Sequence, residues 1–216
     1  MKKKPLILVS ISIILLGIFF FSASRFYHKE EVKRVEAVTK TDSTLFARDY
    51  SPKLGEEKAK IQLVEFLDPQ CSSCQRMSPH VKSLMTAFPG KIQLVVRYVT
   101  LHSHSEFAVK ILEASKKQGR FWEALDMVFE HQKEWGNHQN PQPDLLWKYL
   151  PDAGVDVERA KQDINDPAIM DVIEQDRRDL KELNVKSTPT FFVNGKMVMG
   201  YGPEDLKMEI EAELAK

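Results

Sequence analysis

Cysteine is almost missing from this chain: Cys71 and Cys74 are the only two in 216 residues. A fold held together by disulfides is thereby excluded, because one bridge across so short a loop removes little entropy from the unfolded chain. A pair that is poor as a staple points to chemistry, with redox exchange ahead of half a metal site. Charge of one sign is lacking too. There are 31 basic and 31 acidic residues and no basic stripe, which argues against nucleic acid as a partner. Internal repeats and long low-complexity tracts are absent. What remains is long enough for one domain of ordinary size with a real core.

A single long apolar run is present. Met1-Lys2-Lys3-Lys4-Pro5 precedes it, and it extends from Leu6 to Phe21, broken by Ser10, Ser12 and Gly17. Its length falls between a signal-peptide core and a full membrane span. Ser22-Ala23-Ser24 offers small residues for cleavage, and no cysteine follows for lipid attachment. Residues 1–24 are therefore expected to be a membrane anchor or a signal segment, with the lysines on the cytoplasmic side. The rest is then exported, held at the cell membrane on its extracytoplasmic (periplasmic) side or released if the segment is cleaved. Such a compartment permits disulfides. Residues 25–50, rich in charge from Glu30 to Glu36, read as a charged stalk or a loosely docked helix. The compact domain is expected over 51–216, punctuated at its start by Ser51-Pro52-Lys53-Leu54-Gly55.

Within it, Ile61 to Leu67 has strand length and apolar side chains on both faces, as in a central strand. A helix is predicted from Cys71 to Phe88, kinked at Pro79 and stopped by Pro89-Gly90. Ile92 to Val99 is a second strand. Helical periodicity then dominates, including a helix opened by Asp166-Pro167 and running to about Leu183. The aromatic residues of this block read as core. Thr190 to Val193 and Lys196 to Met199 form a hairpin around Asn194-Gly195, and Pro203-Glu204-Asp205 opens a last helix. The order is β-α-β, helical insertion, β-β-α.

That order, with Cys71-Ser72-Ser73-Cys74 at the first strand-to-helix turn, resembles a thioredoxin-like α/β fold. The helical insertion at about 103–184 makes it similar to the DsbA-like branch. Glu65 lies six residues before Cys71, and Pro79 five after Cys74, as in that family. Ser187-Thr188-Pro189-Thr190 resembles its cis-proline loop. Gln118-Gly119-Arg120-Phe121-Trp122-Glu123 and Gln132-Lys133-Glu134-Trp135 resemble the start of its helical insertion. The chain departs from the family in its Ser-Ser dipeptide and in Gln70, where relatives place other residues, which leaves the redox potential open.

The resemblance implies a thiol:disulfide oxidoreductase without a cofactor, acting on cysteine-bearing exported proteins. As an oxidase it would need a DsbB-like membrane partner; as a reductase or isomerase it would need an electron donor. At a helix N-terminus the backbone N–H groups favour a thiolate, so Cys71 is expected to attack and the deeper Cys74 to resolve. Ser72 and Ser73 are expected to tune the Cys71 sulfur with their hydroxyls. Glu65 either faces water at a strand end or, as the resemblance implies, lies buried and relays the Cys74 proton. Pro189 reads as an ordinary loop proline or, by resemblance, a cis proline whose neighbour Thr188 binds substrate backbone. His102, His104, Met197 and Met199 suggest a rival reading, an extracytoplasmic copper-handling protein. Solvated histidines and core methionines are the simpler account, and no metal ligand is assigned.

Overall fold

The structure is a computed structural model and describes residues 15–22, 25, 26, 43–200 and 202–216. Most of the expected anchor and stalk lies outside the described residues. Residues 15–22 are helical with Leu15, Leu16, Ile18 and Phe19 to Phe21 exposed. Among the described residues no helix is long and apolar enough to cross a membrane.

The centre is β2, Ile61–Leu67, buried along nearly its whole length. It pairs in parallel with β3, Ile92–Tyr98, and antiparallel with β4, Thr190–Val193. Strand β1, Lys53–Leu54, lies antiparallel on β3, and β5, Lys196–Met197, on β4, giving the order β1-β3-β2-β4-β5. Strand alternation divides β2 between two cores. Ile61, Leu63 and Leu67 enter the larger one, while Val64 and Phe66 pack with Leu45, Phe46 and Phe192 on the other face.

Helix α1, Ser72–Ala87, follows β2 and carries Pro79 inside it. Its Cys74, Met77, Val81 and Leu84 recur at helical spacing and are buried against the sheet. The insertion contains α2, Ser105–Lys116; α3, Phe121–Glu130; α4, Gln132–Trp135; α5, Leu145–Tyr149; α6, Val157–Asp163; and α7, Pro167–Glu182. Helix α7 is capped by the Asp166 side chain, which accepts from the Ala168 N–H, with Pro167 in the first turn as expected. Helix α8, Pro203–Leu214, returns Leu206 and Ile210 to the larger core.

Three elements differ from the sequence reading. Strand β1 has two exposed residues, too few for any periodicity to be read. Helix α6 fully buries only Ala160, with Val157 and Ile164 packed at the core's edge, a stripe too short to be read from the sequence. Strand β5 stops at Met197 rather than Met199. Val198 N–H still bonds to the Phe191 carbonyl, and Gly200, at φ 141°, then turns the chain toward α8.

Residues 44–50, the end of the expected stalk or loosely docked helix, are docked on the sheet. Leu45 and Phe46 are buried, and the Arg48 guanidinium pairs with Asp179 of α7 at 2.6 Å. Beneath them Arg97 of β3, fully buried, donates to Asp176 at 2.7 Å and to the Leu45 carbonyl. Tyr50 donates to the same Asp176. One buried cation thus ties the N-terminal segment, the sheet and the insertion together.

Candidate active site

Cys71 is the N-cap of α1, with φ −76° and ψ 119°, and no side chain caps the helix there. Its sulfur therefore meets free helical N–H groups. Cys71 is 8% exposed and Cys74 0%, one turn deeper, and both thiols are free. The Cys71 thiol is lowered to about 5, by a hydrogen bond from Cys74 above all, then by the Thr188 side chain and the N–H groups of Cys74 and Ser73, against the effect of burial. Burial pushes Cys74 far the other way, reinforced by its bond to Cys71 and by Glu65. The Asp68 N–H donates to the Cys74 sulfur at 3.5 Å.

The serine hydroxyls are not where they were expected. Ser72 is exposed, and Ser73 Oγ accepts from Arg76 at 2.8 Å. What Ser73 offers the sulfur is its backbone N–H. Small residues suit this turn, but the tuning comes from the Cys74 thiol, Thr188 and the backbone N–H groups rather than from the serine hydroxyls.

Glu65 is 4% exposed, in register between Val96 of β3 and Phe191 of β4. Strand alternation turns it to the α1 side of the sheet, where Cys74 lies. Its Oε1 is buried with no hydrogen-bond partner among the described residues. Burial raises its acid to about 8, so at neutral pH it holds its proton.

The loop before β4 comes from the other end of the chain. Its Thr188–Pro189 peptide bond is cis. The Thr188 carbonyl accepts from Cys71 Sγ at 3.4 Å, joining residues 117 apart in sequence. Thr188 and Pro189 form one wall of an open groove of about 310 Å³, shared with Ser73, Met77, His80 and Val198.

Several residues hold this arrangement in a clamping role that the sequence did not reveal. Gln132 Nε2 donates to the carbonyls of Pro69 at 2.8 Å and Cys71 at 3.1 Å. Gln70 bridges the Gly136 carbonyl and the His104 N–H, and Gln75 donates to the Phe129 carbonyl. Three glutamines thus fasten the cysteine turn to the insertion. Asp68, fully buried, accepts from the N–H groups of Gln70 and Leu101 at 2.8 Å and from Ser105. It also holds His102 Nδ1 at 2.8 Å. That histidine serves the loop, with its ring 5.0 Å from that of His138. Among the described residues no group of three His, Cys, Asp or Glu is placed to hold a metal ion. Nothing local marks a glutamine as a clamp, so only the fold identifies these partners.

A redox-poised Cys-x-x-Cys at the tip of α1, facing a cis-proline loop on a mixed sheet, defines a thioredoxin-fold thiol protein. The family model described as Thioredoxin matches residues 48–212, and the chain belongs to that family. Oxidised BdbD of Bacillus subtilis superposes with a TM-score of 0.70 at 26% identity, covering 77% of this chain and 94% of that one. The thiol-disulfide exchange protein α-DsbA2 of Wolbachia pipientis gives 0.71 at 20% identity, covering 82% and 95%. A linker-deleted ScsC variant of Proteus mirabilis gives 0.74 at 14% identity, covering 94% and 93%. The fold is thus thioredoxin-like with a helical insertion, and the chain is similar to DsbA-like thiol:disulfide oxidoreductases. A Na(+)/H(+) antiporter NhaA of Herminiimonas arsenicoxydans is 34% identical over 146 residues, covering 68% of this chain and 22% of the antiporter. NhaA 1 of Mycolicibacterium gilvum is 30% identical over 153 residues. The chain spans about a quarter of the length of these curated relatives.

Proposed function

We propose that this enzyme forms disulfides in cysteine-bearing exported proteins. The observation that carries the reading is the asymmetry of the pair: Cys71 is stabilised as thiolate to about 5, while Cys74 is held as thiol by burial. Stabilising the thiolate stabilises the reduced enzyme, which makes its disulfide an oxidant. A client thiolate attacks Cys71 of the Cys71–Cys74 disulfide. The Cys71–Cys74 bond breaks, Cys74 leaves and takes a proton from Glu65, and a mixed disulfide joins Cys71 to the client. A second client thiolate then attacks the client sulfur and expels Cys71 as a stable thiolate. The client loses two electrons, and the enzyme keeps them as a dithiol until a DsbB-like membrane partner re-oxidises it. In the reverse direction Cys71 attacks and Cys74 resolves. The Thr188 backbone and the groove beside it fit an extended client strand. The apolar N-terminal segment would hold the enzyme at the membrane, on the extracytoplasmic side where clients emerge.

Equilibration with glutathione tests the direction. An oxidase should show a potential at or above about −200 mV; a value near about −270 mV would assign it as a reductase. With Cys74→Ala, client should accumulate as a mixed disulfide on Cys71.

A further inference from the structure

Glu65 also borders a second cavity. It is a cleft of about 280 Å³ between α1 and α3, floored by the sheet. Val81 and Met85 of α1, Trp122, Leu125 and Phe129 of α3, and Glu65 below make up its walls. Lys82 and Asp126 stand beside it, paired at 2.5 Å, and both are about half exposed. Inside, the lining is mostly apolar, with the hydroxyls of Ser78 and Thr86 at the α1 wall and the carboxyl of Glu65 on the floor, whose Oε1 is buried without a partner among the described residues. A buried polar atom left unpaired costs free energy that a donor arriving in the cleft would recover.

We propose that this cleft is a binding site for a small neutral aromatic molecule with one N–H or O–H donor, anchored on Glu65. Size sets the scale. A cavity of about 150 Å³ accommodates benzene, so this one suits two fused rings. A charged ligand of either sign would have to shed its hydration against apolar walls. The rings of Trp122 and Phe129 favour a flat, aromatic occupant. One donor matches one orphaned oxygen. A bound molecule would also screen Glu65 from solvent protons. That consequence rests on the proton-relay reading above; the binding itself does not.

Indole and benzofuran test the site, being nearly the same shape with and without the donor. Calorimetry on the full reduced chain should show saturable indole binding, with benzofuran about tenfold weaker, the worth of one hydrogen bond to a buried carboxyl. In NMR spectra the Trp122 side-chain N–H should shift with indole, while those of Trp135 and Trp147 stay in place. Glu65→Leu should bind both probes equally, and Leu125→Trp should fill the cleft and lose both while keeping thiol exchange. Cys71→Ala abolishes exchange and should bind indole as the parent does, so failure of the enzymatic reading and failure of this one are separable. No saturable binding to the parent chain, equal affinity for the two probes, or shifts at Trp135 or Trp147 instead would overturn the proposal.

Discussion

Replacing Glu65 by Gln should make the reduced protein more stable, and the gain should depend on pH. In the unfolded chain this acid ionises near its ordinary value of 4.5; in the fold, burial holds it protonated to about 8. Between those values the folded state keeps a proton that the unfolded state has released, so stability falls as pH rises. Each pH step is worth about 1.36 kcal/mol, and the full span therefore removes roughly 5 kcal/mol by pH 8. Against the 5–15 kcal/mol typical of a domain, about 10 at the middle, that is a large sacrifice. Glu65→Gln has no proton to release. Its stability relative to the parent should be flat below pH 4.5, rise through pH 5 to 8, and level off above. Guanidinium unfolding of both proteins at pH 4, 6 and 8, kept reduced with a phosphine, measures the difference. Cys71 titrates in both and cancels. Parallel stability curves for the two proteins would refute the burial argument, and with it the idea that Glu65 holds a proton ready for Cys74.

Iodoacetamide should modify reduced Cys71 with a half-maximal rate near pH 5 and a plateau through neutrality, because the thiol is lowered to about 5; a midpoint at about 8.5, the ordinary thiol value, would contradict the helix-tip account. Arg97→Leu strands Asp176, which is 1% exposed, and should cost roughly 3–5 kcal/mol in guanidinium unfolding; a loss below about 1 kcal/mol would show the network to be incidental. Gly55 adopts φ +100°, and a Cβ there would sit 2.4 Å from the Ile92 carbonyl oxygen. Gly55→Ala should therefore lower stability by about 1–3 kcal/mol, seen as a fall in Tm, whereas an unchanged Tm would mean that β1 can move away.

Where the chain speaks through local patterns, its sequence is a reliable guide. Ile61 to Leu67, the helix behind the cysteines, the Asp166-Pro167 cap and the Asn194-Gly195 turn all carry short-range signals, and the fold realises them. Asn194 and Gly195 have the positive φ, 48° and 81°, that the turn requires. The pieces that escaped are those with little local signal: a two-residue edge strand, a two-turn helix with a single fully buried residue, and residues 44–50, whose apolar pair Leu45-Phe46 sits in a charged stretch. The serine hydroxyls misled for a related reason. A hydroxyl is visible in sequence, whereas a backbone N–H belongs to every residue and acquires meaning only from a helix end.

By itself, then, the sequence determined that two cysteines one helical turn apart begin a helix after a buried strand, because spacing and periodicity are properties of neighbouring residues. Only the tertiary structure decided what those sulfurs feel. It carried Thr188 across 117 residues to Cys71 and set Gln132 on a carbonyl 61 residues away. It also enclosed Glu65 with Oε1 left unpaired among the described residues. Acidity is governed by burial and by the partners that packing brings within reach, and neither is written in the order of the residues.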